Sequence, residues 1–262
     1  MIEVRGRKIE TQHLAPAGRP EQSGRKPGPT LVLLHEGLGS LGLWRDFPQK
    51  LSDATGLGAF IYSRAGYGQS DPAPLPRPVR YMHDEAELLP EILEAAGIAD
   101  PILVGHSDGA SIAIIAAGQG LPARALILEA PHVFTEESGL QSIAKMRDLY
   151  TQTDLRARLA RWHKDVDAAF LGWNGAWLNP GFRQWNLEEY LPAIQSPILL
   201  VQGMNDEYGS ERQLEAIARG ARGTTEMVLL PDCGHSPHKD QPAKTLQAMA
   251  DFARRIARSP KP

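Results

Sequence analysis

The chain has 262 residues, of which 42% are hydrophobic and 23% charged, and its net charge is −3. A chain of this length buries roughly three quarters of the surface that it exposes when extended, which gives one substantial hydrophobic core that does not need disulfides for stability. This composition excludes a disordered or collagen-like chain. The absence of excess basic charge argues against nucleic acid as a partner. Cys233 is the single cysteine, so an internal disulfide is impossible, which suits a reducing compartment.

The N-terminal region predicts neither export nor membrane insertion. The first thirty residues carry charges throughout and contain no continuous apolar stretch, so we expect no secretory signal. The longest apolar run, Ile112 to Ala117, is far shorter than the roughly 20 residues of a membrane span. We therefore expect a soluble, cytoplasmic protein. The segment from Arg19 to Pro29 is rich in Pro, Gly and charge; it predicts an exposed loop or a hairpin connection, with the core beginning after it.

Short apolar runs without alternation then predict strands that are buried on both faces. They lie at Thr30 to His35, Gly58 to Tyr62, Pro101 to Val104, Ala125 to Leu128, Pro197 to Val201 and Glu226 to Leu230. Helices are predicted between them, at Tyr81 to Ala96, Ala110 to Ala117, Arg212 to Arg219 and Pro242 to Ala257. This alternation predicts an α/β fold, in which helices flank a mostly parallel central sheet and the crossovers are right-handed.

One long interval has no strand-like run, between the strand ending near Glu129 and the one starting at Pro197. Intervals of this length are usually functional. It is helical in pattern from Gly139 to Phe170 and then becomes aromatic. We predict a small helical cap, residues 132–196, inserted in a core formed by residues 1–131 and 197–262. A cap normally supplies the apolar wall of a site, so three residues are predicted to contact substrate, although they could equally serve as packing: Trp173, Trp177 and Trp185.

The segment from Gly105 to Gly109 reads GHSDG and stands between a predicted strand and a predicted helix. G-x-S-x-G in this context predicts a sharp turn that presents a nucleophilic serine at its apex. The flanking glycines let neighbouring backbone pass close to a strained central residue. The helix N-terminus that follows favours developing negative charge. Ser107 is therefore the predicted nucleophile, and Asp108 is not, because only the central residue is presented at the apex.

A serine hydroxyl needs a base to take its proton and an acid to orient that base. Asp206 lies just beyond the carboxyl end of one predicted strand, and His235 just after the next. Glu207 is an adjacent alternative to Asp206, which we favour because a Gly-x-x-Asp strand exit is the usual placement. Ser, Asp and His occur in the chain order of the α/β-hydrolase triad.

With these motifs the chain resembles the α/β-hydrolase superfamily, and more narrowly its compact, single-cap bacterial serine hydrolases and esterases. The resemblance spans nearly the whole chain. It includes Leu33 to Ser40, which is similar to the oxyanion loop, and Ser63 to Ser70, which is similar to the turn after the next strand. The resemblance implies the nucleophile, general base and orienting acid, in that order: Ser107, His235 and Asp206. It also implies an oxyanion hole formed by the backbone amide of Asp108 and by one amide of the loop, from Gly37 or Leu38.

The chain departs from this family pattern at two positions. Glu36 follows the oxyanion-loop histidine where most relatives have glycine, so the loop donor is left open between Gly37 and Leu38. Asp108 follows the nucleophile where an uncharged residue is more common. A carboxylate near an oxyanion is unfavourable, so we expect the side chain of Asp108 to point away or to be paired.

These residues predict a cofactor-independent serine hydrolase that cleaves a small or medium carboxylic ester through an acyl-enzyme. Three alternatives stay open: a carbon–carbon bond hydrolase of the meta-cleavage type, a lactonase, and a ligand-sensing protein with the same fold and negligible turnover. No metal is expected, because the nearby group of Cys233, His235, His238 and Asp240 lacks the helical spacing typical of zinc histidines. The sequence does not determine the oligomeric state.

Overall fold

The computed structural model describes residues 1–18 and 28–259. The strands in these residues are β1 (Ile2–Val4), β2 (Arg7–Ile9), β3 (Thr11–Leu14), β4 (Thr30–Leu34), β5 (Gly58–Tyr62), β6 (Pro101–His106), β7 (Ala125–Glu129), β8 (Ile198–Gly203) and β9 (Thr225–Leu230). The α-helices are α1 (Phe47–Thr55), α2 (Tyr81–Ala95), α3 (Asp108–Gly118), α4 (Glu137–Gln152), α5 (Leu155–Leu159), α6 (Val166–Trp177), α7 (Arg212–Gly220), α8 (Pro237–Asp240) and α9 (Pro242–Arg258). Short 3₁₀ turns occur at Leu41–Trp44, Pro180–Gln184 and Glu188–Ala193.

The central sheet has seven strands in the order β3-β5-β4-β6-β7-β8-β9, and β1 and β2 form a separate hairpin. β3 runs antiparallel to β5, and every other neighbouring pair in the central sheet is parallel. The register places Leu34 opposite Gly105 and His106 opposite Glu129, so several strands end together at one edge. The predicted fold class, a mostly parallel sheet flanked by helices, is confirmed.

Helices cover both faces of the sheet, as the apolar runs predict. Side chains of β4 alternate between the two cores: Val32 and Leu34 pack on one face with α2 and α3, and Leu31 and Leu33 on the other with α1 and α9. Helix α3 is apolar around most of its circumference and is buried from Asp108 to Ala117. It therefore lies inside the molecule with its N-terminus at the carboxyl edge of the sheet.

The expectation that the core begins after Pro29 is wrong. β3 already belongs to the central sheet, with Thr11 opposite Tyr62. This strand has four residues, two of them exposed, and so gives no apolar run for sequence reasoning to detect. Most of the loop predicted from Arg19 to Pro29 lies outside the described residues, which leave out 19–27.

The interval between β7 and β8 contains α4, α5, α6 and two of the 3₁₀ turns. These elements connect strands that end at the edge where α3 begins. The division of the chain into a core and a cap remains a prediction. None of the helices in the described part of the chain is long and apolar enough to cross a membrane.

Candidate active site

Ser107 lies in the turn between β6 and α3 with φ 53° and ψ −116°, a backbone conformation that strains any residue with a Cβ. The turn is as tight as the glycine pattern predicts. A Cβ on Gly105 would lie 2.5 Å from the carbonyl oxygen of Gly109, and a Cβ on Gly109 would lie 2.0 Å from that of Leu34. Only glycine at these two positions lets α3 approach β4 and β6 so closely. Ser107 itself is 7% exposed.

The structure brings Ser107, His235 and Asp206 together. The Nε2 atom of His235 lies 2.9 Å from the Oγ atom of Ser107. On the other side of the ring, Nδ1 lies 2.9 Å from each carboxylate oxygen of Asp206. The backbone amides of Tyr208 and Gly209 also donate to Asp206, at 2.8 and 3.3 Å, so the carboxylate is held from two directions.

Glu207 does not take part in this hydrogen-bond chain. Its side chain is exposed and makes no hydrogen bond or ion pair with another described residue. Its backbone carbonyl accepts a hydrogen bond from the hydroxyl of Ser142, at 2.7 Å. The geometry thus favours Asp206 over Glu207 as the acid that orients His235.

The pKa of His235 is set by two opposing effects. Burial lowers it, but the Asp206 carboxylate, with smaller contributions from Glu36 and Glu207, raises it more, and the pKa lies above its ordinary value of 6.5. The pKa of Asp206 shifts in the complementary direction: burial raises it, but His235 holds it below its ordinary value. The arrangement therefore stabilises an imidazolium next to Ser107, which is the species that forms when His235 takes a proton.

Two further histidines pack beside His235 and are uncharged near neutral pH. Burial lowers the pKa of His106 to about 4, and that of His132 likewise to about 4. His106 donates through Nε2 to the backbone carbonyl of His235, at 2.7 Å. His106 therefore supports the backbone of the base and is not among the residues that line the cavity above Ser107.

The loop that is predicted to supply part of an oxyanion hole, Leu33 to Ser40, contains a turn in which the amide of Gly39 donates to the carbonyl of Glu36 at 3.1 Å. His163, from the interval between β7 and β8, donates through Nε2 to the carbonyl of Leu38 at 3.0 Å. Among the described residues, none accepts a hydrogen bond from the amides of Gly37, Leu38 or Asp108. Donors are therefore available from both loops, and the choice between Gly37 and Leu38 stays open.

The side chain of Asp108 is fully buried and paired. It accepts hydrogen bonds from the hydroxyl of Tyr81 at 2.5 Å and from Nε1 of Trp177 at 3.2 Å. Nη2 of Arg64 lies 3.7 Å from its Oδ2 atom. Burial raises the pKa of Asp108, and the Arg64 cation and the two hydrogen-bond donors oppose that rise. The acidic residue after the elbow serine is thus accommodated beneath the site by partners of its own.

A cavity of about 360 Å³ opens above Ser107 and His235. The apolar part of its lining comes from Leu38, Ile143, Met146, Trp173 and Trp177. The lining also includes four charged residues, Glu36, Glu207, Lys239 and Asp240. Sequence reasoning missed Ile143 and Met146, although their spacing of three residues in a helical segment places them on one face.

The three tryptophans predicted to contact substrate do not occupy equivalent places. Trp173 and Trp177 line the cavity. The indole of Trp173 packs so closely on Gly37 that a Cβ there would lie 2.1 Å from its Nε1 atom. Trp185 is not among the residues that line this cavity: its ring lies 5.8 Å from that of Trp177 and stacks on Phe182, with centroids 5.2 Å apart, and its contact with substrate stays a prediction.

Among the described residues, one group has potential metal ligands close together, namely His106, Glu129 and His238, whose ligand atoms lie within 4.8 Å of one another. Hydrogen bonds already account for these contacts. The carboxylate of Glu129 accepts from the backbone amide of His238 at 2.7 Å and from its Nδ1 at 2.8 Å. We interpret the group as support for the loop that carries His235.

An elbow serine, a histidine and a carboxylate at the carboxyl edge of a mostly parallel sheet are the arrangement used by α/β hydrolytic enzymes. Residues 31–248 match the model of the alpha/beta hydrolase family. The chain belongs to this family and is a hydrolase. A search of curated protein sequences finds no significant match.

Solved structures similar to this chain include an esterase from Exiguobacterium antarcticum, with 18% identity, a TM-score of 0.73, and 96% of this chain and 97% of that chain covered. An enol-lactonase from Burkholderia xenovorans has 15% identity and a TM-score of 0.73, with 95% and 97% covered. A proline iminopeptidase from Mycobacterium smegmatis has 14% identity and a TM-score of 0.70, with 98% and 97% covered. At these identities the likeness concerns the fold alone.

Proposed function

We propose that this chain is a serine hydrolase that cleaves a small or medium carboxylic ester without a cofactor. The observation that carries the proposal is the position of His235, which lies 2.9 Å from Ser107 through one ring nitrogen and 2.9 Å from Asp206 through the other. A base and its orienting acid on one hydrogen-bond chain is what a serine hydroxyl needs to react near neutral pH.

In the proposed reaction Ser107 Oγ attacks the ester carbonyl while its proton passes to Nε2 of His235. The negative charge that develops on the carbonyl oxygen is stabilised by the amide of Asp108 and by that of Gly37 or Leu38. The tetrahedral intermediate then expels the alkoxide, which takes the proton from His235 and leaves as an alcohol. The acyl group remains on Ser107 as an ester.

The acyl-enzyme is resolved by water. His235 takes a proton from the attacking water, a second tetrahedral intermediate forms, and Ser107 leaves with that proton as the carboxylic acid is released. Asp206 keeps the proton of Nδ1 directed toward itself, so that Nε2 is the nitrogen that exchanges protons with Ser107.

The cavity supports the proposed size of the substrate. Its volume of about 360 Å³ lies at the low end of the range for small-molecule sites. Trp173 and Trp177 supply apolar surface for a small ester, and the same cavity also offers charged side chains from Glu36 and Lys239. We propose that both tryptophans contact substrate.

The test is covalent labelling with a fluorophosphonate, followed by peptide mass spectrometry. We expect one label, on Ser107, because an activated serine reacts where ordinary serines do not. Ser107→Ala should remove the label and lower ester hydrolysis by several orders of magnitude. The matched control is Ser236→Ala, because Ser236 lines the same cavity. A label that survives Ser107→Ala, or that disappears in Ser236→Ala, contradicts the proposal.

A substrate panel separates the remaining alternatives. Short-chain aryl esters, lactones and vinylogous diketones are assayed against one preparation of the chain. Ester turnover at ordinary enzymatic rates supports the proposal. If the enzyme prefers a lactone or a diketone, the proposed substrate class is wrong, but the proposed role of Ser107 as nucleophile stands. Labelling without turnover of any compound supports a ligand-sensing protein instead.

A further inference from the structure

A buried arginine lies between the oxyanion loop and the turn that carries Ser107. The side chain of Arg64 is 1% exposed. Its Nη1 atom donates to the carbonyl of His35, and its Nη2 atom donates to that of Glu36 at 3.0 Å. Its backbone amide donates to Nε2 of His35 at 3.1 Å. Arg64 therefore fixes two successive carbonyls of this loop, and the next two amides, of Gly37 and Leu38, donate to none of the residues that the structure describes.

The same guanidinium reaches the second half of the oxyanion hole. Nη2 of Arg64 lies 3.7 Å from Oδ2 of Asp108, and the backbone amide of Asp108 is the other predicted donor. Asp108 also accepts a hydrogen bond from Trp177, which lines the cavity. The carboxylate of Asp108 thus lies near Arg64 and accepts a hydrogen bond from a residue that lines the cavity. Asp108 itself belongs to the turn that carries Ser107.

The two departures from the family pattern meet at this pair. Glu36 is the residue that stands where most relatives have glycine, and its carbonyl is one of the two that Arg64 fixes. Asp108 is the unusual acidic residue after the serine, and it is the buried anion near Arg64. A buried guanidinium without a nearby anion is strongly unfavourable, so the charge at position 108 allows Arg64 to occupy this place.

We propose that Arg64 and Asp108 are a positioning pair that sets the geometry of the oxyanion hole and orients Trp177 at the cavity wall. Arg64 directs the loop carbonyls away from the cavity, which leaves the amides of Gly37 and Leu38 for the oxyanion. Asp108 holds Arg64 from the side of the elbow. The inference rests on the proposed serine mechanism, and neither side chain exchanges a proton or forms a bond in it.

The experiment separates positioning from a contribution to folding alone. Three variants are compared with the wild type: Asp108→Asn, Arg64→Met, and the double change. Each single change leaves one buried charge unpaired and should lower the melting temperature. The double change removes both charges, so it should recover much of that loss. The loop contacts of Arg64 are still missing in the double variant, so we expect kcat to stay about 10- to 100-fold below the wild type.

Two further readouts report on the oxyanion hole. KM should change less than kcat does, since the amides of Gly37, Leu38 and Asp108 bind the oxyanion of the transition state, whereas Trp177 contacts the bound substrate as well. The inhibition constant of a trifluoromethyl ketone, whose adduct carries an oxyanion, should rise by the same factor by which kcat/KM falls. Arg64→Lys retains the charge near Asp108 but lacks the fork that bonds two carbonyls, so it should keep more stability than Arg64→Met and still lose kcat.

The matched control is Arg77→Met combined with Glu85→Gln. This pair is also buried, with 3.4 Å between Nη1 and Oε1, and it makes no hydrogen bond to the oxyanion loop. We expect kcat within about threefold of the wild type. If the Arg64 and Asp108 double variant recovers kcat together with its melting temperature, the pair contributes to folding alone and the inference is overturned. If instead wild-type Ser107 fails to react with the fluorophosphonate, the proposed function itself fails.

Discussion

At the scale of single residues, the candidate site depends on the hydrogen-bond chain from Ser107 through His235 to Asp206. Asp206 has a second acidic residue, Glu207, directly beside it in the sequence. In the proposed mechanism the carboxylate selects the tautomer of His235 and stabilises the imidazolium that forms during attack. Asp206 lies 2.9 Å from Nδ1 of His235, whereas the side chain of Glu207 is exposed. Two adjacent acidic residues should therefore respond very differently to the same chemical change.

We expect Asp206→Asn to lower kcat by about 10²- to 10⁴-fold, because the amide favours the wrong tautomer of His235. Glu207→Gln serves as the matched control and should cost less than about tenfold. Steady-state hydrolysis of an aryl ester measures both variants. A damaging Glu207→Gln together with a mild Asp206→Asn would mean that the orienting acid is one residue further along.

Part of this site is predictable from the sequence, and the reason is local. Ser107, Asp206 and His235 each stand just after an apolar strand, and parallel strands bring such positions to one edge of the sheet. Trp185 is not predictable in the same way, since its aromatic character fits a cavity wall and a packed interior equally well. The hydrogen-bond partners of Asp108 could not be predicted from the sequence either, because Tyr81 and Trp177 are distant in sequence and only the fold brings them close to it.

At the scale of elements, the loop that carries His235 is held by the ends of two neighbouring strands. His106 ends β6 and bonds the carbonyl of His235, while Glu129 ends β7 and bonds the amide and ring of His238. His106 and Glu129 stand opposite each other in the sheet. The sequence predicts both strands but shortens them, because a histidine and a glutamate do not continue an apolar run.

We expect Glu129→Gln to lower the free energy of unfolding by about 1–3 kcal/mol at pH 7, because the buried carboxylate and its partners lose their charge-assisted hydrogen bonds. His238 holds the pKa of Glu129 at about 2 despite burial. A lowered acid pKa stabilises the fold above the unfolded value and loses that effect as the pH falls toward 2.

Urea denaturation of the wild type and of Glu129→Gln at pH 7 measures this difference. The control is Glu226→Gln on β9, which breaks an exposed ion pair with Arg255 and should change the free energy by less than about 1 kcal/mol. Equal effects of the two substitutions would show that Glu129 supports the loop no more than a surface charge does.

At the scale of the whole molecule, the fold encloses several histidines that are uncharged at neutral pH. Burial lowers the pKa of His35 well below 6.5, and that of His163 is also lowered. His106 and His132 have pKa values of about 4 for the same reason. All four belong to loops or strand ends at the carboxyl edge of the sheet, so acid should weaken the part of the molecule that holds the candidate site.

We expect the free energy of unfolding to fall by several kcal/mol between pH 7 and pH 5, of which roughly 4 kcal/mol comes from His106 and His132 together. A base whose pKa is lowered by folding contributes stability that is complete above its unfolded value, about 6.5, and that is lost as the pH falls toward the folded value. For a folded pKa of about 4, the loss over this interval is about 2 kcal/mol for each of His106 and His132. His235 acts in the opposite direction, because its pKa is raised, and it offsets part of the loss.

Urea denaturation of the wild type and of His132→Gln at both pH values tests this expectation. The variant cannot take up a proton at position 132, so its stability should depend on pH by about 2 kcal/mol less than that of the wild type. Equal stability of the wild type at pH 7 and pH 5 would mean that the buried histidines accept protons as readily in the folded chain as in the unfolded one. A variant as acid-sensitive as the wild type would exclude His132 and leave His106, with His35 and His163, as the source.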